Sequence, residues 1–388
     1  LDSIGAKKRR DLAPTHNLKS VFKSIRGFLV GNATGTNRDE IIAQQLINLI
    51  FCKIYDEKFS RADDVVKFRV GIDESDEVVI DRIHRLFDSV KTKYSEVIEI
   101  SDKITLDAKG LRYVIGELQN FCLIESQRDV IADAFETFID GALKGGEGQF
   151  FTPRNVVKLL VDLIDPKPNE LIIDPACGTG GFLVESLRHI WDHLEKDAVS
   201  FGWNELALAE EKNSSAIKCI RGVEKDEFLC KVTKAYMAIL GDGKGGICCE
   251  NSLDLPSRWK EMTQQYVRLG TFDVLLANPP FGKDIKVTGE EILKQFDLAH
   301  VWENKQGEYN KTTKIKKEEL IQILFIERCL KLLKSGGRMG IILPETFFHA
   351  PSLRYILRYM LQDNNVMWVI DLPHNTFRPH NNAKCLAI

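Results

Sequence analysis

The stretch Leu171-Ile172-Ile173-Asp174-Pro175-Ala176-Cys177-Gly178-Thr179-Gly180-Gly181-Phe182 decides the fold. A short apolar run ends in a carboxylate, a proline and a glycine-rich loop, and a helix-like stretch follows. That is the pattern of a strand feeding a helix through a tight turn. Glycine in such a turn lets backbone approach a ligand with no Cβ in the way. The third glycine of G-x-G-x-x-G is absent, so the loop departs from a dinucleotide fingerprint.

Beyond this loop, strand-like runs at 171–174, 219–223, 246–249, 272–277, 338–343 and 366–370 alternate with helical stretches near 154–164, 180–195, 227–240 and 317–334. Such alternation predicts an α/β fold, a parallel sheet with helices on both faces, and ligands sit at the carboxyl ends of its strands. Upstream, residues 17 to about 143 carry apolar positions at three- and four-residue spacing, as in Leu46, Leu49-Ile50 and Ile54, and again around Val130 to Ile139. The glycine-rich joint Leu143 to Gly148 separates the two patterns. We therefore expect a helical accessory domain over 1–145 and a catalytic domain over 146–388.

The residue that ends each strand is where chemistry is expected. The second strand ends at Glu224, a carboxylate placed to accept hydrogen bonds from ribose hydroxyls. It stands 50 residues after Asp174, which predicts an extended helix or an insertion between Trp191 and Ser215. After the third strand, Asn251 offers an amide to an adenine edge, or else serves a turn. The fourth delivers Asn278-Pro279-Pro280-Phe281. An exocyclic amine conjugated into a ring is a poor nucleophile, and acceptors must draw its lone pair out of conjugation. The Asn278 side-chain oxygen and the Pro279 carbonyl are such acceptors, the two prolines stiffen the backbone, and Phe281 offers a ring for an extruded base. A chance Asn-Pro-Pro-aromatic occurs in only about one chain in several hundred of this length. In-line transfer of a sulfonium methyl to this amine needs no metal and no covalent intermediate, and the glycine loop matches those that bind S-adenosylmethionine.

With these residues the sequence resembles the N6-adenine DNA methyltransferases, specifically the modification subunit of type I restriction-modification systems. Gly148-Gln149-Phe150-Phe151-Thr152-Pro153, the glycine loop, Asn278 to Phe281, and Lys334-Ser335-Gly336-Gly337 with Met339 to Pro344 carry the likeness. The resemblance implies a Rossmann-like S-adenosylmethionine-dependent methyltransferase fold with a helical N-terminal domain. It places Gln149, Phe150, Phe151, Thr152 and Pro153 over the methionine end of the cofactor, and lines the rest of that site with Asp174, Ala176, Gly178, Thr179, Gly180, Glu224 and Asn251. It sets Asn278 to Phe281 on the target adenine, with Phe377, in Leu372 to Pro379, as a second aromatic against the flipped base. Sequence choice is assigned to a separate specificity subunit, and a restriction subunit joins some assemblies. Asn251 stands where many relatives have Asp. The chain opens at Leu1 and stops at Cys385-Leu386-Ala387-Ile388, inside the expected last strand, so a fragment of a longer protein is expected.

Composition is that of a globular chain of 388 residues with a net charge of −3, and no apolar run approaches membrane-spanning length. Nine cysteines with no C-x-x-C pair leave a zinc site or disulfide framework unsupported, and with no signal region they predict a cytoplasmic protein. Basic residues cluster at Lys7 to Arg26 and at Lys305 to Lys317, where a solvated face is as good a reading as a DNA contact. The polar segment from Gly282 to Thr313 reads as an open surface loop, placed to reach DNA. Two rivals remain: methylation of a protein glutamine amide, whose family usually has Tyr where Phe281 stands, and a non-catalytic DNA-binding subunit. N4-cytosine enzymes usually begin the tetrapeptide with Ser.

Overall fold

Among the described residues of the first third, apolar residues at helical spacing coil into four α-helices, Leu18–Asn32, Arg38–Phe59, Asp76–Lys93 and Ala108–Leu118. The computed structural model describes residues 6–32, 38–95, 97–125, 152–240, 246–282, 284–378 and 383–388. These fall into two compact units, one within Leu1–Gly146 and Ala238–Gly243, the other within Glu147–Met237 and Lys244–Ile388. The stretch around Val130 to Ile139 and the glycine joint lie outside the described residues. In the helical unit buried carboxylates close the loops. Asp56 accepts from the Lys67 and Phe68 amides at 2.6 and 2.7 Å, and Glu57 from those of Leu123 and Ile124 at 3.0 and 2.9 Å. The buried Lys53 ammonium balances Glu57 at 3.0 Å.

The second unit is built on seven strands: β1 Ile172–Asp174, β2 Ile220–Glu224, β3 Gly246–Cys249, β4 Phe272–Ala277, β9 Leu333–Pro344, β10 Ile370–Asp371 and β11 Cys385–Ala387. Their order is β10-β11-β9-β4-β1-β2-β3. Pairing is parallel from β3 through β9, and β11 runs antiparallel between β9 and β10. Ile173, Leu275, Ala277, Ile341 and Leu343 form one core with Ile323, Ile326 and Cys329 of the helix Ile321–Leu332. On the opposite face Leu276 and Gly340 meet Leu160 and Ile164 of the helix Arg154–Ile164. The interval before Glu224 is filled by two helices, Gly181–Phe201 and Glu205–Cys219, separated at Gly202 in left-handed conformation.

Three expectations are corrected. The run 366–370 is not a strand throughout. Only Ile370 and Asp371 have partners, Ala387 and Leu386, and Val366 to Val369 stay exposed. The helix expected over 317–334 begins only at Ile321, because Glu318–Leu320 forms β8 against β5, Lys286–Thr288. The segment from Gly282 to Thr313 is no open loop. It holds β5, a short helix Glu290–Leu293, and an antiparallel ribbon of β6 His300–Lys305 and β7 Glu308–Ile315. Gln306 and Gly307, both at positive φ, make the tight turn of the ribbon. Trp302 anchors it, its ring 5.8 Å from Tyr355 and 6.3 Å from Tyr359. Among the described residues no helix is long and apolar enough to cross a membrane.

Candidate active site

The carboxyl ends of β1, β2, β3 and β4 open on one side of the sheet, and each delivers its polar residue there. Asp174 ends β1, 2% exposed, and accepts from the Ala176 amide at 3.0 Å. Burial pushes its carboxyl up to about 8, and the nearby Glu224 charge pushes the same way. The loop then turns through Gly178 and Gly180, both at positive φ. A Cβ on Gly178 would meet nothing within 4 Å, while one on Gly180 would stand 2.7 Å from Thr233 Cγ2. The first glycine therefore faces open space and the second answers a close approach of the helix Glu227–Leu240. The Thr233 hydroxyl donates to the Gly178 carbonyl at 2.6 Å and pins the loop.

Glu224 ends β2 beside this loop. One carboxylate oxygen accepts from the Gly178 amide at 2.9 Å and the other from the Asp226 amide at 2.9 Å. Burial raises its pKa against the pull of these amides. Past β3, the Ser252 hydroxyl donates to the Pro175 carbonyl, joining the third loop to the first. Asn251 makes a turn, its side-chain oxygen accepting from the Leu253 amide at 3.1 Å and its carbonyl from the Trp259 indole at 3.0 Å.

At the end of β4 the Asn278 amide nitrogen donates to the Thr152 hydroxyl at 3.0 Å. The Asn278 side-chain oxygen is buried and has no hydrogen-bond partner among the described residues. Leaving such an acceptor unmet costs about 1–3 kcal/mol. Pro279 is buried behind it and Pro280 is half-buried. Phe281 and Phe377, each 3% exposed, pack edge to face with centroids 6.2 Å apart.

Of the residues expected to bind cofactor or base, the fold thus gathers Asp174, Ala176, Gly178, Thr179, Gly180, Glu224 and Asn251 at one group of strand ends. Thr152 and Pro153 lie where the helix Arg154–Ile164 begins, with Thr152 on Asn278 rather than on the glycine loop. Gln149, Phe150 and Phe151 lie outside the described residues. Part of each basic cluster is ion-paired: Arg10 pairs with Asp63, Arg9 with Glu125, Lys311 with Asp297 and Lys316 with Glu319.

The family model of the N-6 DNA methylases matches residues 126–388. The chain belongs to that family. It is 29% identical over 300 residues to the type I restriction enzyme EcoEI methylase subunit of Escherichia coli, covering 76% of this chain and 52% of that one. To the EcoKI methylase subunit of E. coli K12 it is 22% identical over 355 residues, 86% of this chain and 60% of the relative. The chain thus spans little more than half the length of these curated relatives. Among solved structures, the methyltransferase subunit of a type I restriction-modification system from Streptococcus thermophilus superposes with a TM-score of 0.63 at 15% identity. That match covers 98% of this N-6 DNA methylase and 84% of the other chain, and it shows a shared fold.

One further cluster of polar groups escaped the sequence reading. His189 and His193 lie four apart on the helix Gly181–Phe201, and both turn to Asp165 at the end of the preceding helix. The H-x-x-x-H spacing was the available signal; its third member, 24 residues earlier, was not.

Proposed function

We infer that this chain transfers a methyl group from S-adenosylmethionine to the N6 amine of a flipped adenine in DNA, as the modification subunit of a type I restriction-modification system. One observation carries the reading: the buried, unpartnered Asn278 side-chain oxygen, whose amide is oriented by Thr152.

The residues present fit the cofactor. Gly178 bares the loop backbone, the Glu224 carboxylate stands beside it for the ribose, and Asn251 follows the third strand on the same side. When bound, S-adenosylmethionine supplies an electrophilic methyl on a sulfonium centre. The protein's own part is positioning and electrostatics. Asn278 Oδ1 and the Pro279 carbonyl accept the two amine hydrogens and draw the nitrogen toward tetrahedral geometry. Phe281 and Phe377 part from their edge-to-face contact to hold the base between or against them. The relatives are named as methylase subunits of larger enzymes, which supports a specificity subunit as the partner that chooses the DNA sequence, with a restriction subunit in the full assembly.

The test is transfer of labelled methyl to DNA by the full chain, wild type against Asn278→Ala, with and without a specificity subunit. Label on adenine N6 that disappears in the variant supports both the reaction and the residue. Cofactor binding with no label on DNA in any combination overturns the DNA reading and directs the assay to protein glutamine.

A further inference from the structure

We propose that Asp165, His189 and His193 form a binding site for a divalent transition metal, Zn2+ in the first place, that ties the far end of the helix Arg154–Ile164 to the middle of the helix Gly181–Phe201. Asp165 Oδ1 lies 2.8 Å from His189 Nε2 and 3.0 Å from His193 Nε2. The three ligand atoms all fall within 4.8 Å of one another, the only such group of His, Cys, Asp and Glu among the described residues.

Local structure brings them together. Asp165 closes the helix Arg154–Ile164 in left-handed conformation, φ 49°, which turns the chain and sets its carboxylate against the next helix. His189 and His193, one helical turn apart, present their rings side by side, centroids 5.0 Å apart. Two imidazoles and a carboxylate are the donor set that suits zinc, with water as the fourth ligand. The side chains are 19%, 28% and 44% exposed for His189, His193 and Asp165, so an ion can enter. Supporting groups are also in place. Asp162 lies 3.5 Å from His189 Nδ1, placed to accept a hydrogen bond from Nδ1–H once Nε2 binds metal. Lys167 pairs with the second oxygen of Asp165, leaving Oδ1 for the ion. The metal then replaces the present hydrogen bonds at Oδ1 and Nε2, with each imidazole carrying its hydrogen on Nδ1.

Placement gives the site its role. Arg338 donates to the Ile164 and Asp165 carbonyls and pairs in register with Val274, near the start of β4. The cluster therefore lies by the amino-terminal half of the strands, about 16 Å along an eleven-residue helix from Pro153. Both helices that it joins begin at the active site, one after Pro153 and the other after Gly180. A metal bridge fixes their mutual position and, through it, the spacing of Thr152 from the glycine loop.

The experiment uses the untagged full chain, freed of metal and titrated with Zn2+ and separately with Co2+. One equivalent is expected, with a cobalt spectrum free of thiolate charge transfer, binding at least about tenfold weaker in His193→Gln and in His189→Gln, and a rise in melting temperature lost in both. Imidazole modification mapped by mass spectrometry tests the site without any variant: Zn2+ should protect His189 and His193 among the eight histidines. No binding by the wild type, a thiolate signature, unchanged affinity in the variants, or protection of other histidines instead overturns the proposal.

Discussion

At the scale of the residue, two side chains bear the testable weight. Thr152 accepts from the Asn278 amide and, on the proposed function, holds its oxygen toward the substrate. Thr152→Val removes one hydrogen bond of about 1–1.5 kcal/mol, and methyl transfer should fall about tenfold. Cofactor affinity measured by calorimetry should stay unchanged; a parallel loss of affinity would move Thr152 to the cofactor. Asp174 is the second. Its folded carboxyl titrates near 8 against about 3.9 in the unfolded chain, so the fold holds a proton that the unfolded chain releases. Its effect on stability is most favourable below about pH 4 and erodes as pH rises toward 8. Melting temperature should thus drop more between pH 5 and pH 8 in the wild type than in Asp174→Asn, and equal drops would refute the assignment. Asn278 and Glu224 were legible because each ends an apolar run with a side chain that a plain turn does not require. The Thr152–Asn278 bond was not, since nothing local links residues 126 apart.

Elements are held by contacts that sequence patterns show unevenly. β2 runs so close under the helix Gly181–Phe201 that a Cβ on Gly222 would come within 2.6 Å of Leu183 Cδ1 and 2.9 Å of Ile247 Cδ1. Gly222→Ala should cost about 1–3 kcal/mol by overpacking, read as a lower denaturation midpoint. The β6–β7 ribbon rests on Trp302. Trp302→Ala should release it, costing about 2 kcal/mol and opening new cleavage between 300 and 315 under limited proteolysis. Parallel strands read clearly because burial on both faces makes them continuous apolar runs. The ribbon did not, because its outward residues are polar and lysine-rich and few of its side chains, Trp302, Tyr309 and Ile315, pack against a core. The run Val366 to Val369 misled in the opposite direction. Apolar content suggested a strand, yet a ladder needs a partner opposite, and only Ile370 and Asp371 have one.

On the scale of the whole molecule, two units with their own buried cores should unfold as separate transitions in calorimetry, and substitutions can assign them. Glu74 accepts from Arg82, Arg69 and the Gly71 amide, and the Arg82 bond foremost lowers its pKa to about 2. Its contribution is therefore complete above the unfolded value of about 4.3 and lost as pH falls through 2. Glu74→Gln should lower one transition by about 2 kcal/mol at neutral pH and leave the other in place. If both shift together, the units do not unfold independently. The order of the sheet carries a consequence for synthesis. β4 lies between β1 and β9, and Asn278 emerges 126 residues after Thr152. At roughly 5–20 residues per second, a ribosome leaves the first half of the site waiting roughly 6–25 s for its central strand. From its own emergence until β4 follows, β1 keeps at least one edge bare, so slow codons between 174 and 272 should raise the nascent chain's demand for chaperones.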